Sequence, residues 1–330
     1  MARYIKKLLL LIAILFSFFL SVKSYSNEEF KTWLELFKKR AIAQGVSSET
    51  VNESLKNARF LERIVELDRK QPEFIEKTYE YINKRIDEKR ITNAQIILKN
   101  QKEVLNNISE KFKVDKEIIV ALWGIETNFG INKGKVDIIS ALATLSFDKR
   151  RSAYFENELI ILLQLIDKKI VQIENLFGSW AGAVGNFQFM PSTIQKYALN
   201  LDDKLGIDLF ESVQDSVGSA ANYLSKIGWR FKDIWGFEIK NTKNFDSSIL
   251  TTDSKNFKEQ FTISELKMLG FKHMDNKEFA DSNKKGWIIR PDGNDGPIYI
   301  VFDNFLKLLE WNRSLRFAIT VGTLSDKIKI

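Results

Sequence analysis

A single glutamate at the end of a long apolar run is the residue with the clearest chemical potential in this sequence. Residues 118–125 are all apolar or Gly, and Glu126 follows directly. On a helix Ile119, Leu122 and Trp123 lie beside Glu126, because residues three, four and seven positions apart share a face. A carboxyl group among apolar neighbours is poorly hydrated, which raises its pKa and lets it hold a proton near neutral pH. Glu126 is therefore a candidate general acid, the alternative being a buried structural ion pair with an Arg.

A second candidate region is the stretch 178–193, where Gly, aromatic and amide residues are crowded together. Three of the 16 glycines of the chain fall within eight residues here, which predicts close backbone approaches or positive φ angles. Aromatic rings stack on sugar faces and amides bond sugar hydroxyls, so the stretch suits a carbohydrate cleft. The alternative is a tight crossing of two helices. The residues concerned are Gly178, Gly182 and Gly185, with Trp180, Asn186, Phe187, Gln188 and Phe189.

The composition excludes several classes of chemistry. The chain has no Cys and one His, His273, so thiol nucleophiles, disulfides and His-rich metal sites are excluded. A length of 330 residues with 44% hydrophobic residues is enough for one large domain or two ordinary ones. Lys and Arg exceed Asp and Glu by 50 to 43, and by 46 to 43 once the first 24 residues are set aside. A protein with this small positive charge attracts an anionic polymer weakly, and the charge does not indicate nucleic-acid binding.

The first 24 residues have the layout of a secretory signal peptide. Basic residues precede an apolar run at 8–20, and small residues follow, so we predict Sec-type export with cleavage after Ser24 or Ser26. The apolar run is short for a membrane span, which needs roughly 17–25 residues. An uncleaved anchor is the alternative. We expect a monomer in the periplasm or cell envelope, either peripheral to the membrane or released from it.

Most of the remaining chain is expected to position these two regions with helices. Apolar residues recur at helical spacing, and the apolar stripe beside Glu126 predicts that its helix includes Phe129. The segment 241–294 is polar with weak strand signals, which predicts a small insertion. The predicted fold class is mainly α with a small irregular α/β insertion. The predicted division is a signal peptide (1–24), a helical N-terminal part of the catalytic unit (25–110), a catalytic core (111–240), the partly β insertion (241–304) and a C-terminal helix that returns to the core (305–330).

Several motifs, taken in order, resemble the lytic murein transglycosylase B family. The resemblance covers roughly residues 27–324 and is strongest from 118 to 229. It implies a lysozyme-like helical core. The motifs are GIETNFG (124–130), ALATLSF (141–147) followed by Arg150-Arg151 and Tyr154-Phe155, GAVGNFQFMPS (182–192), ANYL (221–224), Gly228-Trp229 and WNRS (311–314).

The resemblance implies an enzyme that cleaves peptidoglycan glycan strands between N-acetylmuramic acid and N-acetylglucosamine without water. One Glu acts as acid and then as base, the C6 hydroxyl attacks C1, and a 1,6-anhydromuramoyl end results. Most glycosidases need a second carboxylate, but Glu156 and Glu158 lie in no matching motif and are predicted to face solvent. The alternatives are a hydrolysing muramidase and a non-catalytic peptidoglycan-binding scaffold. No cofactor is implied, and wall-synthesis proteins are further candidate partners.

The resemblance also implies roles for individual residues. Glu126 is the implied catalytic residue, Arg151 matches a basic position that reaches substrate, and Asn312 matches one near the acid. Tyr81 is carried over by a looser alignment. The other implied cleft residues are Ser179, Gln188, Phe189, Met190 and Tyr223.

The chain departs from the family pattern at three places. Asn186-Phe187 precedes the Gln where a small residue is common, which predicts a reshaped sugar subsite. Trp311 stands where a Tyr is common, which predicts the loss of a hydroxyl contact. Some members have a calcium loop at the position of residues 200–208, but here Lys204 occupies a ligand position, so we predict no bound metal.

Overall fold

The protein is described by a computed structural model that covers residues 27–329 apart from 71–75, 175, 203, 205 and 280. The predicted signal peptide, with its cleavage sites at Ser24 and Ser26, lies outside the described residues. Within the described ranges, no helix has both the length and the apolar character needed to cross a membrane.

Helices dominate the described residues, which confirms the predicted mainly α fold class. They are α1 (Asn27–Ala43), α2 (Ser48–Leu55), α3 (Glu62–Lys70), α4 (Thr78–Arg85), α5 (Glu88–Asn100), α6 (Lys102–Phe112), α7 (Lys116–Thr127), α8 (Ile138–Phe147), α9 (Ser152–Asp167), α10 (Pro191–Tyr197), α11 (Val213–Lys226), α12 (Ile263–Met268), α13 (Asp303–Trp311) and α14 (Leu315–Lys327). The C-terminal part is therefore two helices, α13 and α14, separated by residues 312–314.

The centre of the core is α7, which carries Glu126 near its carboxyl end. Residues 118–123 are all buried, as the apolar run predicts. Helices α5, α6, α11 and α14 pack against α7, so it is surrounded on most sides by other helices. The packing of these helices fixes the position of the last turn of α7, and therefore of Glu126, relative to the rest of the core.

The carboxyl end of α7 differs from the prediction. The helix ends at Thr127, because Asn128 and Phe129 both adopt left-handed backbone angles, with φ of 50° and 60°. The ring of Phe129 folds back over Gly124, where an added Cβ would lie 2.8 Å from the ring. The prediction that Phe129 continues the helix is wrong, since the left-handed turn reverses the chain before it.

The helices that precede α7 share its hydrophobic core. Phe30 of α1 packs with Phe60 and with Phe147 of α8, and Trp33 packs with Phe147, with ring centroids 5.5–5.8 Å apart. Phe30 belongs to the same buried cluster as the α7 residues, and the other three rings are partly buried and pack against that cluster. The N-terminal helices therefore support the central helices directly.

The segment between α11 and α13 forms an antiparallel sheet with its own small core. The sheet begins at Gly236, before the polar segment that starts at 241. Ile239, Phe271 and Ile300 lie in a buried cluster separate from the main one. The strands are β1 (Val136–Asp137) and β2 (Phe177–Gly178), which pair with each other in the core, and β3 (Gly236–Asn241), β4 (Phe261–Thr262), β5 (Phe271–His273), β6 (Lys285–Ile289) and β7 (Ile298–Val301). The spatial order of the strands in the sheet of the insertion is β4–β6–β7–β3–β5.

Asp292 attaches this sheet to the helical core. Its carboxylate accepts hydrogen bonds from the main-chain N–H of Thr78 (3.0 Å) and the Thr78 hydroxyl (2.8 Å) at the start of α4, and from Arg316 of α14 (2.8 Å). Burial alone would raise the pKa of Asp292, but these bonds hold its pKa below the ordinary value. The insertion is thus connected to α14, which packs against α7, and to α4, which packs against α14.

Candidate active site

Glu126 lies half-buried at the end of α7 and is hydrogen-bonded by Trp311, the last residue of α13. The indole Nε1–H of Trp311 donates to Oε1 of Glu126 at 2.9 Å, across 185 residues of sequence. We expected a Trp at this position to forfeit the polar contact of a Tyr hydroxyl. The hydroxyl is absent, but the indole N–H supplies a donor in its place.

Two opposing influences act on the Glu126 carboxyl group. Ile119 and Leu122 beneath it are fully buried and Trp123 nearly so, and an apolar surrounding favours the neutral acid. The N–H of Trp311 favours the carboxylate. That Glu126 holds its proton near neutral pH stays a prediction, but opposed influences suit a group that must both give and take a proton.

Trp311 belongs to a stack of three aromatic rings, Tyr197, Tyr223 and Trp311, which we call the aromatic stack. Tyr223 lies 4.9 Å from Trp311 and 4.3 Å from Tyr197, with interplanar angles of 20° and 11°. Phe189 packs against Trp311 at 5.4 Å. Burial raises the pKa of Tyr223 to about 12, so its hydroxyl stays protonated and donates to the main-chain oxygen of Glu310 at 3.1 Å. The stack fixes the plane of the indole that contacts Glu126.

Asn186 and Phe187 lie beneath the aromatic stack. Phe187 is 3% exposed and packs between Trp123 and Trp311, at 6.1 and 6.2 Å. Asn186 is equally buried, with Oδ1 accepting from Nε1 of Trp123 (3.2 Å) and its main-chain oxygen accepting from the Thr127 hydroxyl (2.7 Å). We predicted that these two residues reshape a sugar subsite. Their burial makes them supports for the end of α7, and a reshaped sugar subsite stays a prediction.

The glycines of the stretch 178–193 allow close backbone approaches. An added Cβ on Gly178 would lie 2.1 Å from the main-chain oxygen of Ala183, and one on Gly185 would lie 2.6 Å from that of Leu209. Gly185 also has a positive φ of 74°. Residues 179–190 contain turns and isolated bridges and no helix. The backbone explanation of the glycines is therefore confirmed, and the alternative of a helix crossing is wrong.

Three of the implied cleft residues, Ser179, Gln188 and Met190, lie in this same loop and are half-buried. The Ser179 hydroxyl accepts from the main-chain N–H of Ala183 at 3.0 Å. Gln188 has a left-handed φ of 51°, and its Nε2 donates to the main-chain oxygen of Lys133 at 3.2 Å. Met190 immediately precedes α10. The structure thus brings them into one loop with Phe189, which contacts the aromatic stack.

Asn312 is next in the chain to Trp311, which contacts Glu126, whereas Tyr81 lies in α4. Asn312 directly follows Trp311, in the turn between α13 and α14, and is half-buried, and its position near the acid stays a prediction. Tyr81 is 3% exposed and lies under the guanidinium of Arg85, 3.4 Å from its ring centroid. Its helix, α4, packs on α14, which in turn packs on α7. A substrate contact for Tyr81 stays a prediction.

Arg151 is engaged in an ion pair with a buried carboxylate. Its guanidinium binds Asp68, which is 1% exposed and also binds Arg150, and it lies over the ring of Phe155 at 4.7 Å. Burial alone would raise the pKa of Asp68, but the two arginines hold its pKa below the ordinary value. A contact between Arg151 and the substrate stays a prediction. In such a contact, the ion pair with Asp68 would already hold the guanidinium in position.

Arg90 is a basic side chain near Glu126 that sequence reasoning did not identify. Its Nε donates to Oδ1 of Asn128, two residues after Glu126, at 3.4 Å. Burial lowers the pKa of Arg90. The sequence offered no way to select Arg90 from the other charged residues around it, because its contact is with Asn128, which is distant in the sequence.

Glu158 is not on the solvent side of its helix, contrary to our prediction. It is 1% exposed, and its carboxylate accepts from the main-chain N–H (2.8 Å) and the hydroxyl (2.6 Å) of Ser192. Ser192 is in the first turn of α10, so Glu158 satisfies an N–H group that has no partner within the helix. Glu156, by contrast, pairs with Arg40 nearer the surface, at 2.7 Å.

Replacing Glu158 with Ala should therefore lower the free energy of unfolding by about 1–3 kcal/mol, the range for leaving a buried hydrogen-bonding group unsatisfied. The matched change Glu156→Ala should cost at most about 1 kcal/mol, because its ion pair is partly exposed. Urea unfolding of both variants measures the difference. Equal losses would mean that the Glu158–Ser192 contact does not stabilise α10.

In the loop at residues 200–208, which is described apart from 203 and 205, the carboxylates already have partners within the protein. The ammonium of Lys204 lies 3.1 Å from Asp202 and holds the pKa of that carboxyl below its usual value. The buried carboxylate of Asp215 accepts from the main-chain N–H groups of Leu201 and Asp208, at 2.6 and 2.9 Å. In the described part of the chain, no three His, Cys, Asp or Glu residues are grouped to hold a metal. The carboxylates of Asp202 and Asp215 are thus engaged within the protein, and the absence of a bound calcium stays a prediction.

Millimolar calcium should accordingly leave the Tm of the protein unchanged. A ligand that binds only the folded state raises stability by mass action, so a functional site would be visible in a thermal scan. A saturable rise in Tm that a chelator reverses would contradict the prediction. Magnesium at the same concentration controls for ionic strength.

The sequence of this chain matches a protein family and a relative of known activity. A family model described as the transglycosylase SLT domain matches residues 29–326. The membrane-bound lytic murein transglycosylase B of Escherichia coli (strain K12) is 31% identical over 252 residues, which are 76% of this chain and 67% of that protein.

Solved structures of lytic transglycosylases have the same fold. SltB3 from Pseudomonas aeruginosa in complex with NAG-NAM-pentapeptide superposes with a TM-score of 0.84 at 30% identity, over 91% of this chain and 79% of that one. SltB3 has also been solved with NAG-anhNAM-pentapeptide. Slt35 from Escherichia coli in complex with calcium gives a TM-score of 0.76 at 28% identity, over 89% of this chain and 92% of that one.

Proposed function

This chain belongs to the transglycosylase SLT domain family, and from that membership we propose that it is a lytic transglycosylase of peptidoglycan with Glu126 as its acid–base residue. Its substrate is the β-1,4 bond between N-acetylmuramic acid and N-acetylglucosamine. The family and the fold support the reaction class. The contacts of Glu126 support its assignment as the acid–base residue.

The reaction needs one carboxyl group in two successive roles. Protonated Glu126 gives its proton to the glycosidic oxygen, which leaves with the bonding electrons as the C4 hydroxyl of N-acetylglucosamine. The acetamido oxygen of the muramoyl residue stabilises C1 in the interval. The C6 oxygen then bonds to C1, and its proton passes to the Glu126 carboxylate. The product is a 1,6-anhydromuramoyl end, and no water is consumed.

The hydrogen bond from Trp311 is the observation that best supports Glu126 in this role. The indole N–H at 2.9 Å stabilises the carboxylate that forms after the first proton transfer. A two-carboxylate mechanism would need a second acid beside the bond. Glu310, near the aromatic stack, directs its carboxylate to Lys307 at 2.8 Å.

Mass spectrometry of products released from purified sacculi tests the proposed function. We expect muropeptides that end in 1,6-anhydromuramic acid. Reducing ends, which carry one added water, would instead identify a hydrolysing muramidase. Binding to sacculi without any release would identify a non-catalytic scaffold.

We further propose that the protein acts in the cell envelope on glycan strands outside the cytoplasm. A membrane-bound relative and the signal layout of the first 24 residues support this location. Periplasmic export, cleavage after Ser24 or Ser26, a monomeric state and contacts with wall-synthesis proteins remain predictions.

A further inference from the structure

A cavity of about 540 Å³ lies where the insertion meets α4 and α14. Among the described residues that line it, none belongs to the candidate active site. Its volume is within the roughly 300–1,000 Å³ that ligand pockets occupy. Ile82 of α4 and Trp235, which precedes β3, give it an apolar wall and are 8% and 5% exposed. Glu238 of β3 and Tyr299 of β7 supply polar groups beside this wall.

Glu238 and Tyr299 lie directly opposite each other in the antiparallel pair β3–β7, so their side chains share one face of the sheet. Glu238 is half-buried, and its carboxylate accepts a hydrogen bond from the hydroxyl of Tyr79 on α4. It forms no ion pair with a Lys or Arg among the described residues. A carboxylate that is partly removed from water and has no cationic partner is costly. Its negative charge is thus available to a ligand.

The hydroxyl of Tyr299 is a second polar group that the fold leaves unused. The residue is 3% exposed, yet its hydroxyl makes no hydrogen bond within the described part of the chain, although it can both donate and accept. Nearly all buried polar groups of proteins are hydrogen-bonded, so one that lines a cavity is placed to bond what enters it. Burial, together with the charge of Glu238, raises the pKa of Tyr299, so the hydroxyl keeps its proton.

The other charged groups of the lining do not cancel the negative charge on β3. Asp275 pairs with Lys277 at 3.3 Å, so these two neutralise each other. Asp326 pairs with Lys329 at 2.7 Å. Lys327 is exposed at the end of α14, where water and salt screen its charge more than they screen a half-buried carboxylate. The interior of the cavity is therefore negative.

We propose that this cavity binds a small organic cation, with a primary ammonium group on Glu238 and the hydroxyl of Tyr299. An ammonium group carries three N–H donors, and the carboxylate and the phenol oxygen are two acceptors side by side. Tyr79, 46% exposed, also lines the cavity, and the face of an aromatic ring attracts the same charge. Ile82 and Trp235 contact the apolar body of the ligand. The inference does not depend on the proposed reaction, because no lining residue takes part in it.

Three soluble probes of similar shape test the charge that the cavity selects: benzylamine, which is protonated at neutral pH, benzyl alcohol and benzoate. Each is titrated into ¹⁵N-labelled protein, and the indole N–H resonance of Trp235 reports occupation, because that residue lines the cavity. We expect saturable binding of benzylamine with a Kd at least about tenfold below that of benzyl alcohol. Benzoate should give no saturable shift.

Two variants separate the contributions of the polar groups. Glu238→Gln keeps the volume of the side chain and should raise the Kd for benzylamine about tenfold, with the Kd for benzyl alcohol changed by less than about twofold. Tyr299→Phe should raise the Kd for benzylamine about threefold, the effect of losing one ordinary hydrogen bond. It should leave the Tm unchanged, since the hydroxyl has no partner to lose in the described part of the protein.

The control variant is Glu259→Gln, which removes an exposed carboxylate of the same insertion that does not line the cavity. It changes net charge as Glu238→Gln does and should leave every Kd unchanged. Equal affinity for the three probes would overturn the proposal, since the cavity would then select only an apolar body. Tighter binding of benzoate, or no saturable shift of the Trp235 resonance with benzylamine, would overturn it as well.

Discussion

Glu126→Gln should reduce the release of anhydromuropeptides from sacculi by at least about 10²–10⁴-fold, the contribution typical of general acid–base catalysis. The amide keeps the volume of the side chain, and its oxygen can still accept the hydrogen bond from Trp311. It can neither donate the proton that the leaving oxygen needs nor take up the proton of the C6 hydroxyl. Because one residue serves both steps, no second group replaces it.

The control for this variant is Glu156→Gln, which changes a carboxylate that pairs with Arg40 nearer the surface. It should leave most of the activity, and melting curves of both variants should match the parent closely. If Glu126→Gln is folded and turns over at a near-normal rate, the single-carboxylate mechanism is wrong and the acid lies elsewhere.

Trp311→Phe should lower the rate about 10–100-fold, the range expected for losing one hydrogen bond to a charged group of about 1.5–3 kcal/mol. The phenyl ring can still stack on Tyr223, so the variant removes the N–H donor and little else. Without the donor the carboxylate form is less favoured. The limb of the pH–rate profile that reports loss of the Glu126 proton should therefore move to higher pH.

Two further variants separate the donor from the ring. Trp311→Tyr restores a hydroxyl at the position where the family commonly has one and should recover much of the rate. Trp33→Phe makes the same chemical change in the N-terminal aromatic cluster and should leave the pH profile where it was. A Trp311→Phe enzyme with an unchanged pH profile would mean that its N–H does not act on Glu126 during the reaction.

The sequence by itself determined the features that depend on neighbours along the chain. The apolar run 118–125 predicts a buried helix, because helical periodicity needs only residues three and four apart, and α7 is buried as predicted. The glycines at 178 and 185 predict an unusual backbone, since only Gly tolerates the approaches found there. The ordered motifs resemble one family, and that family is confirmed.

Features that depend on partners distant in the sequence were decided by the tertiary structure alone. Periodicity placed Glu158 towards solvent, but α10 packs over it and makes its carboxylate a buried cap. A Trp in place of the common Tyr suggested the loss of a hydroxyl contact, yet the last residue of α13 lies close enough to Glu126 for its indole N–H to donate to the carboxylate, across 185 residues of sequence. Hydrogen-bond partners of this kind are set by how helices pack, and a local pattern carries no information about that packing.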